Sequence, residues 1–257
     1  MLTRPLCRAM QRKGVTVALQ RKGVTVALQG HARCSLSMLS TATSAHNNAH
    51  PPPFDIQAIT RELAAEHALQ GSGMSYNDPR ASWHWLDREM SSNMAGETGA
   101  VCIYDGAAAA LRLRANVDPE VLRFVEEHRE AEQAHLDLFA ALLPAHKHTR
   151  LLPMWRLAGF ALGFLPACIG DRYLFKTVEA VETFVEVHYH EQINPLREHG
   201  RCPQLVELLE HCCADEVHHK EDAAARSGGG ETGYAEYVWM AVVKLGSAAA
   251  AEVARRV

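Results

Sequence analysis

The sequence predicts an all-α protein, a four-helix bundle with an additional interfacial helix at its C-terminus. Three observations predict it. No stretch of the 257 residues alternates apolar and polar side chains with the period of two that a half-buried strand needs. From near Trp83 onward, long helical stretches are separated by brief breakers: "ANVDPE" at 115–120, "LPAHKHTRLLP" at 143–153, "REHGRCP" at 197–203 and "SGGG" at 227–230. Four of those stretches carry one apolar stripe each, with members spaced by steps of three and four.

Composition narrows the class before any motif is read. With 47% hydrophobic and 22% charged residues, the chain can bury one sizeable core. A net charge of −4, with no basic cluster in the body of the chain, argues against a nucleic-acid partner. Seven cysteines, an odd number with no Cys-x-x-Cys pair, argue against a disulfide framework and a zinc knuckle, and for a reducing compartment.

The N-terminal region differs from the rest. Residues 1–54 contain no Asp or Glu but carry Arg4, Arg8, Arg12, Lys13, Arg21, Lys22 and Arg33, followed by "CSLSMLSTATS". Basic, hydroxyl-rich and acid-free is the composition of a mitochondrial presequence; the bland alternative is a disordered basic tail. Within it "RKGVTVALQ" occurs twice in tandem, at 12–20 and 21–29, too short to be a solenoid repeat. Residues 55–82 read as a short helix, "DIQAITRELAAEHAL", and a loop, and residues 83–257 as the main domain.

The stripes hold the chemistry. The first is Met90, Met94, Glu97, Val101, Tyr104, Ala108 and Leu111; the second Val121, Val125, His128, Glu132, His135, Phe139 and Leu142. The third is Phe175, Val178, Glu182, Val185, Tyr189, Gln192 and Leu196; the fourth Leu205, Leu209, Cys212, Glu216, His219 and Ala223. Each is interrupted by a glutamate, and in the second and fourth a histidine follows one turn later, within "EQAH" and "EVHH".

A single Glu-x-x-His on a helix is usually a solvated pair, and two matches arise readily by chance in a chain with 15 histidines. Depth is the stronger argument. The midpoint between Glu97 and Glu132, 114.5, falls at the edge of the break at 115–120, and that between Glu182 and Glu216, 199, inside the break at 197–203. In an antiparallel hairpin such residues share a level, so two packed hairpins bring four carboxylates and two imidazoles into one layer.

Buried carboxylates without partners cost several kcal/mol each, and no Lys or Arg occupies the central levels of the stripes. Two divalent cations would balance the four charges. Oxygen and imidazole donors without thiolate suit iron or manganese. One Glu from each of two helices plus Glu-x-x-His from each of the other two is the ferritin-like di-iron arrangement. Glu179 and Glu186 lie within a turn of Glu182 as alternatives, but Glu182 fits the spacing best.

Other residues are read less sharply. His128 is either a satisfied core histidine or a functional one. His188 and Tyr189 read as a hydrogen-bonding or proton-transferring pair beside the cluster, or as packing. Asp215 stands where it could orient a ligand histidine. "PMWRLAGFALGFLPACIG", 153–170, has Arg156 as its only charge, and the 14 uncharged residues from Leu157 to Gly170 fall short of the roughly 20 that span a bilayer, so it lies in a core or enters an interface. In the final helix, Tyr237, Trp239, Met240 and Val243 suit an acyl region, and Arg255 and Arg256 suit lipid headgroups, a pattern for peripheral attachment to one leaflet.

From about Leu86 onward the chain resembles the demethoxyubiquinone hydroxylase family of ubiquinone biosynthesis. The resemblance rests on "AGETGAVCIYDGA", "EAEQAHLDLF", "PMWRLAGFALG", "VEAVETFVEVHYHEQI" and "ADEVHHKED", in that order. By position, the family's iron ligands fall on Glu97, Glu132, His135, Glu182, Glu216 and His219, and His188 and Tyr189 also match family positions. The stretch before "AGE" departs: it reads "SSNM", where the family tends to a basic and acidic run, and Thr98 stands where an aromatic is common.

The resemblance implies a monooxygenase with two iron ions that uses O2 to 5-hydroxylate the ring of a polyprenyl methoxy-benzoquinol, with NADH as ultimate reductant. It further implies a matrix-side, peripheral location on the mitochondrial inner membrane and a lipid-binding accessory protein of the same pathway as partner, and it leaves open a homo-oligomer or a larger biosynthetic complex. Two other readings share the ligands: a ferroxidase or rubrerythrin-like peroxidase, and a quinone-binding scaffold subunit that keeps metal for stability alone. No Gly-rich dinucleotide loop follows a strand in the sequence, so a site for NADH would be unconventional.

Overall fold

Seven α-helices and no strand make up the described part of the chain, residues 54–71, 83–228 and 230–256 of a computed structural model. They are α1 (Ile56–Gly71), α2 (Trp83–Leu111), α3 (Pro119–Leu142), α4 (Leu152–Ile169), α5 (Asp171–Glu198), α6 (Pro203–Arg226) and α7 (Tyr234–Ala254). The expected presequence and the loop after α1 lie outside the described residues, apart from Phe54.

Helices α2 and α3 form one hairpin and α5 and α6 the other. The breaks that separate them contain the residues that end and start helices. Pro119 stands at the first turn of α3, and Asp118 caps it, accepting from the Glu120 amide at 2.9 Å. Pro203 starts α6, whose exposed first amides are satisfied from outside: Glu62 of α1 accepts from Gln204 N and Leu205 N at 3.1 and 3.2 Å. Arg201 pairs with Glu66, a second tie between α1 and the start of α6.

The four stripes become the core. Every one of their members is buried except Val185, which is partly buried. Above and below the glutamate level the filling is apolar: Phe139, Ile193, Leu205 and Leu209 belong to one cluster, and Leu111, Phe124, Leu174 and Phe175 to the other. The polar level is thus sealed at both ends by large side chains.

The apolar connection at 153–170 is itself an 18-residue helix, α4, and it is the most extensive neighbour of α2. The contact is backbone to backbone. A methyl group on Gly159 would collide with the Gly99 carbonyl, one on Gly163 with that of Ile103, and one on Gly106 with that of Phe160. The outward side of α4 is exposed and apolar, with Met154, Leu157, Leu165 and Ile169 all more than half exposed. Helix α7 likewise exposes Tyr237, Val242 and Leu245. By length and composition alone either helix could cross a membrane. Each instead lies along the bundle, α4 against α2 and α7 against α5.

Two expectations for α7 need correction. Trp239, Met240 and Val243 turn inward: Trp239 Nε1 donates to Thr177 Oγ1 at 2.8 Å, and Val243 is buried with Ile103 and Val181. Arg255 is not free for headgroups either, because its guanidinium pairs with buried Glu89. The start of α7 is pinned by Arg172, which ion-pairs with Glu236 and donates to the Ser227 and Glu231 carbonyls of the preceding loop.

Candidate metal centre and its cavity

Glu97, Glu132, His135, Glu182, Glu216 and His219 all meet in the bundle's central layer. None is more than 5% exposed. One donor atom from each of Glu97, Glu132, His135 and Glu216 can be chosen so that all lie within 4.8 Å of one another. His219 joins them, its Nδ1 being 3.1 Å from Glu132 Oε1 and 3.1 Å from Glu216 Oε2. Glu182 faces Glu216, Glu132 and His219. Its alternatives point elsewhere, Glu179 to Lys176 and Glu186 to Lys220.

The cluster divides into two halves. Glu216 lies between the imidazoles, with Oε1 3.0 Å from His135 Nδ1 and Oε2 close to His219 Nδ1. Glu132 reaches from α3 toward His219 on α6. Glu97 sits beside His135, at 3.8 Å. Glu97 with His135, and Glu182 with His219, therefore make two end groups, with Glu132 and Glu216 shared between them.

The electrostatics explain why this donor set suits cations. Burial, reinforced by the charge of Glu216, holds the Glu97 and Glu182 carboxyls well above the usual carboxylate range and raises Glu132 too. Glu216 behaves oppositely: burial would raise it, but hydrogen bonds from His135 and His219 bring it down to about 2. Burial would lower His219, yet its bonds to Glu132 and Glu216 push it up to about 11. Without metal, protons neutralise the layer. Two dications could replace them, and four carboxylates with two imidazoles fit that charge.

Surrounding groups orient the donors. Asp215 Oδ2 accepts from His135 Nε2 at 3.1 Å, which leaves Nδ1 turned into the cluster. Tyr189 donates to Glu97 Oε1 at 2.8 Å. His188, its neighbour, stands apart from the cluster and instead contacts Ser92 and Arg255. His128 stacks on His219 with ring centroids 4.3 Å apart, and its Nε2 lies 3.3 Å from Asp222 Oδ2. Sequence reasoning passed over Asp222, although its place three residues after His219 puts it on the same face of α6.

A cavity of about 470 Å3 opens directly onto this layer. Glu97, Glu132, Glu182 and Glu216 form its floor, while Trp155, Leu162, Phe184, Trp239 and Val243 contribute apolar walls. Met154 of α4 and Val242 and Gly246 of α7, all exposed, border it on the side of the apolar outer faces. One wall is polar: Ser92, Asn93 and His188 line it, and Asn93 exchanges two hydrogen bonds with Gln192 at 2.8 and 2.9 Å.

Known proteins agree with this picture. The profile of the family described as "Ubiquinone biosynthesis protein COQ7" matches residues 84–254. A Rhodospirillum rubrum protein named 3-demethoxyubiquinol 3-hydroxylase is 35% identical over 146 residues, covering 56% of this chain and 67% of that one. A Homo sapiens protein named NADPH-dependent 3-demethoxyubiquinone 3-hydroxylase, mitochondrial, is 31% identical over 158 residues, 60% of this chain and 69% of that one. A Saccharomyces cerevisiae protein named 5-demethoxyubiquinone hydroxylase, mitochondrial, is 32% identical over 134 residues, 51% of this chain and 54% of that one. The match thus spans between about half and about two thirds of these relatives' own lengths. With a profile match running from the start of α2 to the end of α7, the chain belongs to the ubiquinone biosynthesis protein COQ7 family.

Proposed function

We propose that this protein is a di-iron monooxygenase that hydroxylates the ring of a polyprenyl methoxy-benzoquinol, at the carbon still lacking its methoxy group, in ubiquinone biosynthesis. The observation that carries the reading is the cavity: the four carboxylates of the donor cluster form the floor of an apolar chamber bordered by the exposed faces of α4 and α7. A ferroxidase needs the floor but not the chamber. Pockets for small molecules run from ~300 to ~1,000 Å3, so this one accommodates a substituted ring and leaves a long isoprenoid tail to emerge between α4 and α7.

Glu97, Glu132, His135, Glu182, Glu216 and His219 would hold two irons. Bound iron would supply the reduction of O2 and the delivery of one oxygen atom to the ring. The chain supplies the rest. Asp215 fixes the orientation of His135, and Tyr189 holds Glu97 by one oxygen while the other stays available. Trp155, Phe184 and Val243 keep bulk water from the reacting ring. Glu97 and Glu182, which hold protons readily, are placed to take up charge changes at the floor.

The reductant is a nicotinamide. The sequence resemblance implied NADH, whereas several relatives, the human one among them, are named NADPH-dependent. The eukaryotic relatives are named mitochondrial, which supports a mitochondrial location. The apolar outer faces of α4 and α7 support peripheral docking on the inner membrane, where the substrate's tail partitions. A lipid-binding accessory protein of the same pathway would help load that substrate.

The test is anaerobic loading of the full chain with Fe(II), followed by a short-tailed demethoxyubiquinol and 18O2, with product read by mass spectrometry. One 18O atom in the ring product, lost in Glu182→Ala that still melts cooperatively, is expected. Iron bound and oxidised with no quinone product, with NADPH, NADH and vesicles present, would overturn the reading in favour of a ferroxidase.

A further inference from the structure

The polar wall of the cavity ends in a network the chemistry above does not use. His188 is 6% exposed, and its two ring nitrogens have different partners. Nδ1 lies 3.0 Å from Arg255 Nη2. Nε2 lies 3.4 Å from Ser92 Oγ and 3.8 Å from Glu89 Oε2. Phe184 stacks on the ring, interplanar angle 15°, and fixes its plane.

A guanidinium can only donate, so Nδ1 must accept. The ring hydrogen therefore sits on Nε2, on the edge facing Ser92. The Nε2–H bond to Ser92 Oγ is long, and the Ser92 hydroxyl in turn donates only at 3.5 Å, to the Ala251 carbonyl. Glu89 Oε2 has no hydrogen bond although it is buried, and Glu89 Oε1 lies 2.8 Å from Arg255 Nε. The donor capacity of this wall is thus only loosely engaged within the protein, and both His188 and Ser92 line the cavity.

We infer that Arg255 is a positioning residue for His188: it holds the ring in the Nε2–H tautomer, so that His188 and Ser92 offer hydrogen bonds to an oxygen on the ring of the bound quinol. This rests on the quinol reading above. Charge supports the geometry. Burial first, then the Arg255 charge, lowers the His188 pKa to about 3, so the ring stays a neutral donor over the physiological range. The charged groups around it are Glu89 on α2, Arg255 just past the end of α7, Glu252 on α7 and Glu191 on α5, the last two facing Arg255 rather than the ring.

The experiment uses the full chain, iron-loaded for kinetics and 15N-histidine-labelled for ring-nitrogen NMR in the metal-free form. In the wild type the His188 ring is expected to show the Nε2–H pattern, unchanged from pH 5 to 8. Arg255→Met, which keeps the stem and removes every donor, is expected to give mixed tautomers and to raise KM for a short-tailed demethoxyubiquinol by ~3–10-fold, with kcat within about twofold. Arg255→Lys, also a donor-only cation, is expected to restore both. Ser92→Ala, which leaves the ion pairs intact, is expected to raise KM in the same way and guards against an Arg255 variant that fails to fold. An unchanged ring pattern and KM in Arg255→Met, or a KM rise that Arg255→Lys does not reverse, would overturn the proposal. If the wild type makes no quinone product, the quinol reading fails and the ligand half of this proposal with it. The ring-nitrogen pattern would still report separately whether Arg255 sets the tautomer.

Discussion

Tyr189 on α5 donates its phenolic hydrogen to Glu97 Oε1 on α2 at 2.8 Å, joining the two hairpins at the level of the carboxylates. The bond restrains one oxygen of a candidate ligand from a helix that carries another, Glu182. Tyr189→Phe keeps the packing and deletes the restraint. Iron content is expected to stay near two per chain while turnover falls ~10–100-fold, the usual cost of losing a group that orients a metal ligand. Elemental analysis beside turnover checks it; equal loss of both would contradict a purely orienting role.

Glu182→Ala separates stability from chemistry. In the metal-free protein it removes one of four crowded carboxyls, so the melting temperature is expected to hold or rise. With Fe(II) present, the metal-induced rise in Tm is expected to shrink, because fewer ligands bind the metal to the native state. Anaerobic melts with and without Fe(II) should therefore cross, the variant melting higher without metal and lower with it.

The protons that neutralise the cluster set its pH dependence. Glu97 and Glu182 are raised well above 4.5 by burial, and His219 reaches about 11 through Glu132 and Glu216. The folded metal-free state then binds more protons than the unfolded chain, so its stability falls as pH rises: the carboxyl part from about 4.5 upward, the His219 part between about 6.5 and 11. Metal must displace those protons, so its affinity is expected to rise over the same range. Calorimetric titration in buffers of differing ionisation enthalpy measures the released protons, and the metal-induced increment in Tm should widen from pH 6 to pH 8.

Docking should be separable from the metal site. Leu157 on α4 and Leu245 on α7 are 71% and 72% exposed and touch neither core nor cluster. Replacing both by Glu is expected to reduce co-sedimentation with vesicles of cardiolipin-containing lipid by ~10-fold or more, with iron content unchanged. Retained sedimentation would contradict docking through the outer faces of α4 and α7.

Much of this arrangement was legible in the sequence because it follows from helical spacing alone. The stripes located the buried side of four helices, and midpoints falling at or within the breaks put Glu97 opposite Glu132 and Glu182 opposite Glu216. What the sequence concealed depends on partners far along the chain. The segment of α4 read only as lying in a core or an interface, because a helix that meets its neighbour by bare backbone at Gly159 and Gly163 has no side-chain periodicity to announce the contact. Arg255 read as a headgroup contact because Glu89, which holds it, lies 166 residues earlier and shares no motif with it. Trp239 read as a membrane anchor because nothing local reveals that Thr177 takes its N–H.

The glycine contact between α4 and α2 also divides the freedom of substitution along a single helix. Gly159 and Gly163 admit no side chain, since even a methyl group would strike the Gly99 or Ile103 carbonyl and force α4 away from the helix that carries Glu97. Leu157, Leu165 and Ile169, a few residues away, are more than half exposed and could be exchanged for other apolar groups. If that outer face meets a bilayer as proposed, a lineage could retune its fit to a thicker, thinner or more anionic one through those positions and leave the donor cluster on the inner side undisturbed.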